Sequence, residues 1–461
     1  MTQRQWFMGL FSTKIPKVGA AGLARHLNLL DITFIGVGAI IGAGIFVITG
    51  QAAATTAGPA IVLSFLIGSI AIGITALIYA EMSSIYPVSG SAYNYTYATL
   101  GEFFAWLVGW NLLLEYGVAT SAVATGWSGY FRTFIETNFH LALPTALSGS
   151  YNPAAGTYVD ISAFLVIAVI FTLLAIGIKE SARVNNVIVY IKIVVLSIFV
   201  YFGLKHFNIE NIRNFFPFGW QGMWHATSLI IFAYLGFDAI STVAEETKDP
   251  TKTIPKALMI ALAFSTMFFI LVSFTLTSMV SYTELAVPHA LSFAMLRVDE
   301  PFIASIIALG AVVTITTVML VMGLGFTRVA HALSRDGFLP AYFREVHPKY
   351  NTPFKVTLYG GLFLAILAGF IPLKILAELV NIGTLFAYFV VGIAIIVLRK
   401  KGLVGTFRVP MFWVLIPLNF ALLLFIMSGL ELHTWIRFAV WSGIGIGIYF
   451  IMRGKLNKED T

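Results

Sequence analysis

Long apolar stretches follow one another along almost the whole of this 461-residue chain. A helix of about 20 apolar residues spans the hydrocarbon core of a bilayer. Of all residues, 59% are hydrophobic and 11% are charged, whereas an ordinary soluble domain has about 25% charged residues. The sequence therefore predicts an all-α membrane protein with many transmembrane helices.

Twelve apolar spans are predicted, and the basic residues between them give their orientation. The spans are 29–50, 59–82, 104–128, 161–178, 186–204, 226–246, 256–280, 302–328, 356–371, 376–398, 411–430 and 434–452. Of 28 Lys and Arg residues, 21 fall on the side of the two termini, 6 fall on the opposite side, and Lys192 lies within a span. The positive-inside rule then predicts a multi-pass protein of the cytoplasmic (plasma) membrane with both termini cytoplasmic. We expect no removable signal peptide, and the short basic runs do not suggest nucleic acid as a partner.

The spans repeat after about 190 to 198 residues, which suggests an internal duplication. Because each copy has five spans, an odd number, the second copy enters the membrane from the opposite face, as in inverted-repeat transporters. We predict a cytoplasmic N-terminus (1–28), a first five-helix repeat (29–204) and a second, inverted repeat (205–398). Helices 11 and 12 and a cytoplasmic C-terminus (399–461) follow.

Glycines interrupt the first and sixth spans at equivalent positions. The first span carries four glycines within 36–44, and the sixth has Gly236 two residues before Asp238. Gly42 and Gly236 are 194 residues apart, which matches the repeat. Glycines also serve for close packing of transmembrane helices, but two equivalent runs beside an intramembrane carboxylate favour discontinuous helices. Asp238 is then the predicted N-cap of the second half of helix 6.

Two broken helices predict the chemistry of a ligand. A restarting helix offers free N–H groups and a positive dipole end to an anion, while carbonyls freed at the break accept from a cation. An α-amino acid carries both groups, so we predict a secondary transporter for α-amino acids that works by alternating access. The eight histidines form no HxxxH or HExxH pattern and no Walker loop is present, which argues against an enzyme or an ATP-driven pump. An ion channel is disfavoured, and an amino acid sensor remains an alternative.

Several stretches resemble the amino acid-polyamine-organocation superfamily and, within it, the cationic amino acid transporter family. They are 38–46, 86–93, 101–102, 109–110, 232–238 and 244–250. The resemblance implies a leucine-transporter-type 5+5 fold with discontinuous helices 1 and 6. It also implies that backbone N–H groups of Gly42, Ala43 and Gly44 bind the substrate carboxylate, and that carbonyls of Ile40, Ile41, Phe232, Ala233 and Leu235 bind its amine. Phe232 matches the aromatic gate of the family.

Two intramembrane charges remain to be assigned. The resemblance implies that Lys192 occupies the place of a sodium ion and couples transport to protons; the alternative is that its side chain reaches towards the cytoplasmic surface. Glu115 could pair with a basic substrate side chain, carry a proton, or form a hydrogen bond within the bundle.

The side-chain pocket and the cytoplasmic gate are predicted more loosely. Glu115, Met322 and Ile45 are the predicted pocket residues, and Arg25 with Glu245 and Glu246 is a candidate cytoplasmic gate. The resemblance favours Arg and Lys as substrates, while the local residues also allow small neutral amino acids such as Ala. We expect no cofactor or metal other than the coupling proton. Exchange or uniport without proton coupling, and a small membrane subunit or lipid partner, stay open.

Overall fold

The computed structural model describes residues 10–14, 27–87, 91–177 and 182–459. Its helices, in chain order, are α1 (Leu29–Ile40), α2 (Gly44–Ile48, Thr49–Ala52 and Ala53–Ala57), α3 (Ile61–Ile85), α4 (Ser91–Thr99), α5 (Glu102–Phe139), α6 (Ile161–Ile176), α7 (Ala182–Lys205), α8 (Ile209–Arg213), α9 (Gly219–Ile230), α10 (Ala239–Thr242), α11 (Pro250–Met279), α12 (Ala290–Arg297), α13 (Pro301–Arg335), α14 (Phe354–Phe370), α15 (Leu373–Lys400), α16 (Phe412–Ser428) and α17 (Leu432–Glu459). Short 3₁₀ turns join several of them, and within the described residues β-structure is limited to three isolated bridges.

Eight described segments are long and apolar enough to cross a membrane, and α6, α14 and α16 are shorter apolar helices. The first segment, Leu29–Ile85, contains α1, α2 and α3. A turn at Gly58 separates α2 from α3; Gly58 has φ +60°, a conformation that glycine adopts without strain, and Pro59 follows it. The chain is therefore an all-helical, multi-pass membrane protein.

The helices differ in how deeply they lie in the bundle. In α5, 94% of the most apolar window is buried within the protein, whereas in α17 the corresponding share is 11%. Helix α5 packs against α13 and α6, and α3 packs against α11. Helix α5 is thus a central element, and α17 lies at the periphery with an apolar face that suits lipid contact.

Both described ends of the chain meet at Glu102, the first residue of α5. Its backbone N–H donates to the carbonyl of Ser12 at 3.1 Å. Its carboxylate accepts from the Tyr449 hydroxyl at 2.8 Å and lies 3.7 Å from Nε of Arg453. The N-terminal segment and the end of α17 therefore lie on the same face of the bundle.

A buried ion pair adds a second contact between distant parts of the sequence. Glu81 on α3 is fully buried, and both of its carboxylate oxygens accept from Arg399 on α15, at 2.7 and 2.8 Å. The backbone N–H of Val409 donates to the same carboxylate at 2.7 Å. Such a bidentate pair is a strong, geometrically specific contact, and it fixes α3 against α15.

Each of the twelve predicted spans overlaps a helix of this structure. The predicted ninth span ends before Pro372, where α14 also ends, because proline cannot continue the hydrogen-bond ladder. The third span was predicted too short, since α5 continues through a polar stretch to Phe139. Three short helices between spans, α4, α8 and α12, were not predicted, because a helix of five to nine residues gives no span-length apolar signal.

Candidate functional site

The first interruption in the helices follows α1. The Asn28 side chain caps the start of α1 by accepting two backbone N–H groups of its first turn. Helix α1 ends at Ile40, and Ile41 is extended, with φ −78° and ψ 91°. The chain becomes helical again at α2, which begins at Gly44. The first N–H groups of a helix have no acceptor within it, so the stretch from Gly42 to Gly44 can donate to a ligand.

The second interruption follows α9. A 3₁₀ turn at Ile231–Tyr234 leads into Leu235, which is extended, and Gly236, which has φ +86°. A side chain at Gly236 would be strained by this conformation, and its Cβ would lie 2.9 Å from Cε of Met322. Helix α10 begins only at Ala239. Glycine is therefore needed at this break both for its conformation and for the space it leaves.

The two interruptions contact one another directly. A Cβ built on Gly44 would lie 2.2 Å from Cα of Ala233, and one built on Gly36 would lie 2.3 Å from Cδ1 of Ile240. Only a residue without a side chain permits these approaches. The glycines that break the first span thus also bring it against the second broken helix.

A cavity lies between the two interruptions. Its backbone side consists of Ala39, Ile40, Gly42, Ala43 and Gly44. Its remaining wall consists of Ala119 and Val123 from α5, Val318 and Met322 from α13, and Phe232 and Leu235. All of these side chains are apolar. The cavity is therefore bordered by the first interruption, where the start of α2 leaves backbone N–H groups without a helical acceptor, and by apolar side chains around the rest.

Seven of the predicted site residues line this cavity and six do not. Those that line it are Ile40, Gly42, Ala43, Gly44, Phe232, Leu235 and Met322. The others lie outside its wall, namely Ile41, Ile45, Glu115, Lys192, Ala233 and Asp238. Ile45 is fully buried in the surrounding core.

Asp238 occupies the N-cap position of α10 but makes no side-chain capping hydrogen bond. Its Oδ2 instead accepts from the Ser91 hydroxyl and the Tyr116 hydroxyl, each at 2.9 Å. The capping bond predicted from the sequence is therefore replaced by side-chain bonds to α4 and α5. Hydroxyl groups of distant helices have thus replaced the backbone N–H groups of α10 as partners of the Asp238 carboxylate.

Glu115 lies near Asp238 in a second buried region, which we call the carboxylate chamber. Both carboxyls are 1% exposed, they interact electrostatically, and Oε1 of Glu115 and Oδ1 of Asp238 have no hydrogen-bond partner. Glu115 belongs to a π-helical stretch of α5, Leu114–Val118, a form that is frequent at functional sites. Hydroxyl groups surround the two carboxyls, and they belong to Tyr79, Ser91, Tyr95, Tyr116, Thr384 and Tyr388. The chamber is rich in oxygen atoms where the cavity is apolar.

Lys192 connects α7 to the end of α1. Its ammonium donates to the Gly38 carbonyl at 2.5 Å, and the residue is 1% exposed. The packing is close, because a Cβ on Gly38 would lie 3.0 Å from Asn185 and Val189 of α7. The Lys192 side chain is thus directed into the bundle, and its partner Gly38 lies two residues before the end of α1.

The candidate cytoplasmic gate is described only in part. Arg25 and the side chain of Glu245 lie outside the described residues. The backbones nearby are paired: the N–H of Leu27 donates to Glu246 and that of Lys248 donates to Leu27, both at 3.0 Å. The start of α1 is thereby held against the segment that follows α10.

Sequence reasoning missed Ala119, Val123 and Val318 in the cavity wall. Small apolar residues in an apolar helix carry no signal of their own. Spacing could have indicated them, since Val318 is four residues before Met322, and residues four apart share a helix face.

The model of the family described as amino acid permease matches residues 27–449. This chain belongs to the amino acid permease family. The permease is 45% identical over 441 residues to the methylthioribose transporter of Bacillus subtilis (strain 168), and 43% identical over 445 residues to the branched-chain amino acid permease BcaP of the same organism. Each alignment covers 95% of both chains.

More distant relatives of the permease include the vacuolar cationic amino acid transporter 4 of Arabidopsis thaliana, which is 34% identical over 387 residues, or 83% of this chain and 64% of the relative. The predicted membership of the amino acid-polyamine-organocation superfamily is therefore confirmed, and so is the prediction of a transport protein rather than an enzyme. The relation to cationic amino acid transporters is real but less close.

Proposed function

We propose that this permease carries α-amino acids with compact apolar side chains across the cytoplasmic membrane by alternating access, driven by a proton gradient. The observation that carries the proposal is the cavity between the two interruptions, which borders the start of α2 on one side and apolar side chains around the rest. The coupling mode, the direction of net transport and the side-chain preference are parts of the proposal that experiments can separate.

The proposed architecture is twelve membrane crossings with a 5+5 inverted repeat, made of residues 29–204 and 205–398. Two observations support it. The segment Leu29–Ile85 holds two helical stretches separated by the turn at Gly58, and three shorter apolar helices join the long ones. The interruptions at Gly42 and Gly236 stand 194 residues apart. We propose that both termini are cytoplasmic, because the described ends of the chain, Ser12 and the end of α17, lie on the same face and the excess of basic residues falls on that side.

Backbone groups are proposed to recognise the two charged groups of the substrate. The N–H groups at Gly42, Ala43 and Gly44 would bind the carboxylate at a helix N-terminus, where the dipole favours an anion. Carbonyls at Ile40 and Ile41, and at Phe232, Ala233 and Leu235 across the cavity, would accept from the ammonium. Phe232 is proposed to cover the bound substrate, since its ring lines the cavity and is 4% exposed.

The apolar wall favours a neutral side chain over a cationic one. A charge placed among Val123, Val318 and Met322 would be desolvated without a partner, which is costly. Glu115, the anion that a basic side chain would need, does not line the cavity. A relative named as a branched-chain amino acid permease agrees with this choice. A second candidate is methylthioribose, because the relative with 45% identity is named for its transport and a methylthio group suits an apolar wall.

Lys192 is proposed to couple transport to protons. Its hydrogen bond to the Gly38 carbonyl holds the end of α1 while the ammonium is charged. Loss of the proton would weaken that bond and release the half-helix that forms one side of the cavity. Proton binding and substrate binding would then favour the same arrangement of α1.

Uptake into liposomes tests this proposal. We expect an inward proton gradient to drive uptake of labelled leucine by the wild type, with arginine taken up poorly and methylthioribose as a third substrate. Lys192→Ala should lose the dependence on the gradient. Lys205→Ala is the matched control on the same helix, since Lys205 lies over the rings of Tyr201 and Phe202. A requirement for sodium, or wild-type proton dependence in Lys192→Ala, would contradict the coupling.

A further inference from the structure

A buried tyrosine joins three elements at the face opposite the chain ends. Tyr130 lies on α5, is fully buried, and has its ring 5.9 Å from that of Phe46 and 6.5 Å from that of His289. In the proposed orientation this is the outer face. The segment that covers it, residues 282–297, comprises a 3₁₀ turn and α12, and we call it the lid.

The first bond of the Tyr130 hydroxyl is to the broken helix. The hydroxyl donates to the Phe46 carbonyl at 2.5 Å. Phe46 belongs to the π-helical first turn of α2, Gly44–Ile48. The backbone N–H groups proposed to bind the substrate carboxylate lie at the start of that same turn. Tyr130 is therefore attached to the half-helix that would respond to an occupied site.

The second bond is to the lid. The Tyr130 oxygen accepts the backbone N–H of Leu291 at 3.3 Å. Leu291 is the second residue of α12, and His289, at the N-cap position of that helix, makes no side-chain capping bond. The first N–H groups of a helix need acceptors from outside it. A hydroxyl from α5 thus supplies one acceptor that the lid's own sequence does not provide.

The surrounding packing leaves little room between these elements. A Cβ built on Gly50 of α2 would lie 2.2 Å from Cβ of Ala290 and 3.0 Å from the Leu285 carbonyl. A Cβ on Gly129 of α5 would lie 2.9 Å from the Pro288 ring. The lid therefore rests directly on backbone of α2 and α5. A small movement of either helix would break both the packing and the hydrogen bonds of Tyr130.

We propose that the Tyr130 hydroxyl is a latch that holds the lid closed over α2 and so links the state of the helix break to closure of the outer face. Its donor and acceptor functions are both engaged, one on α2 and one on the lid. The role is positional, because the hydroxyl lies on the lid side of the cavity and is not among the groups that line it. The link to substrate rests on the proposed function, whereas the closure of the lid does not.

The natural absence of cysteine from the sequence allows a direct test. A single reporter, Leu285→Cys, places a thiol at a fully buried lid position, and its alkylation by a membrane-impermeant reagent measures lid opening. Adding Tyr130→Phe removes only the hydroxyl. Because two hydrogen bonds are lost, we expect the alkylation rate without substrate to rise by about tenfold.

Tyr449→Phe in the same reporter is the matched control. The Tyr449 hydroxyl is also buried, donates to Glu102 and accepts from Arg453, each at 2.8 Å, but lies at the face of the chain ends. We expect it to leave the alkylation rate unchanged. An unchanged rate in Tyr130→Phe, or an equal rise in both variants, would overturn the latch.

Two further measurements extend the test, and the first of them needs neither a variant nor a known substrate. In the unmodified chain the Leu291 amide should exchange slowly with deuterium, and rapid exchange there would contradict the bond to Tyr130. Leucine should slow alkylation of the reporter, and this protection should be lost with Tyr130→Phe. If leucine does not raise the Tm of the Leu285→Cys protein, leucine is not a substrate. The alkylation rates measured without substrate still test the latch in that case.

Discussion

The apolar cavity and the carboxylate chamber adjoin the same face of α5 yet differ in every chemical respect. Glu115 of the chamber is followed four residues later by Ala119 of the cavity, and then by Val123. The cavity has apolar side chains and backbone polar groups, whereas the chamber has two carboxyls and several hydroxyls. Two titratable carboxyls are thus kept close to the proposed substrate but out of contact with its side chain. The comparison suggests that the cavity selects the substrate and that the chamber serves the movement of the helices.

The largest expected effect comes from the contact between the two broken helices. Gly44→Ala introduces a methyl group 2.2 Å from Cα of Ala233, so both backbones must shift. Misplacement of a binding group by about 1 Å can cost about 100-fold in rate, and we expect leucine uptake to fall at least that far. Gly443→Ala is the control, since a Cβ there has open space on α17. Uptake within a factor of about two of wild type in both variants would refute the tight contact.

A charge moved into the cavity should reverse its preference. Val123→Asp places a carboxylate in the apolar wall, at a cost of about 3 kcal/mol when unpaired. Leucine affinity should fall by about 100-fold, while arginine should gain, because its guanidinium supplies the missing partner. Val123→Asn is polar but uncharged, so it should weaken leucine binding without strengthening arginine binding. Binding is measured by competition with labelled leucine, and arginine affinity equal in the two variants would argue against the electrostatic explanation.

Replacing a carboxyl of the chamber with an amide should leave binding almost intact. Glu115→Gln keeps the shape of the side chain and does not alter the cavity wall, so the leucine dissociation constant should change by less than about threefold. Proton-driven accumulation should fall if Glu115 carries a proton, and should persist if it only forms a hydrogen bond. A tenfold or larger loss of affinity would instead mean that cavity and chamber act as one site.

The smallest expected effect concerns pH at the lid. Burial, aided by the positive charge of Arg132, lowers the pKa of His289 to about 4. The ring of His289 lies 6.5 Å from that of Tyr130. A depressed pKa favours the neutral ring in the folded state, so its stabilising contribution is complete above pH of about 6.5 and is lost as pH falls towards 4. Between pH 7 and pH 5 we expect the Tm to fall by about 1–3 °C more in wild type than in His289→Gln. Parallel curves would show that His289 is not responsible.

The sequence predicted the helices well because their signal is local. Apolar stretches of membrane length need no knowledge of their partners, and glycine at 42 and 236 indicates an interruption wherever the rest of the chain lies. The backbone side of the cavity followed from the same signal. Residues 40 to 44 are contiguous, so one motif located most of them.

The rest depended on contacts between distant helices. Ser91 and Tyr116 donate hydrogen bonds to the Asp238 carboxylate. No residue near Asp238 in the sequence indicates that these bonds replace a helix cap. Glu115 was a predicted pocket residue, with proton transfer and a hydrogen bond within the bundle as alternative roles, and its position beside Asp238 and outside the cavity wall could not be read from the sequence. The role of Tyr130 could not be predicted from the sequence, because a single aromatic residue in an aromatic-rich chain forms no pattern that indicates its contacts.

The meeting of α5 with α17 has a consequence for synthesis and membrane insertion. Trp106 and Trp110 donate their indole N–H groups to carbonyls of α17 that lie 339 and 331 residues further along the chain. At about 5–20 residues per second, a ribosome needs roughly 20–70 s to make that length. Throughout that interval the indole N–H groups of Trp106 and Trp110 lack the acceptors that α17 later provides. Until the last helix is inserted, the two indole N–H groups need hydrogen-bond acceptors from outside the chain, which water or lipid headgroups at the membrane surface can supply.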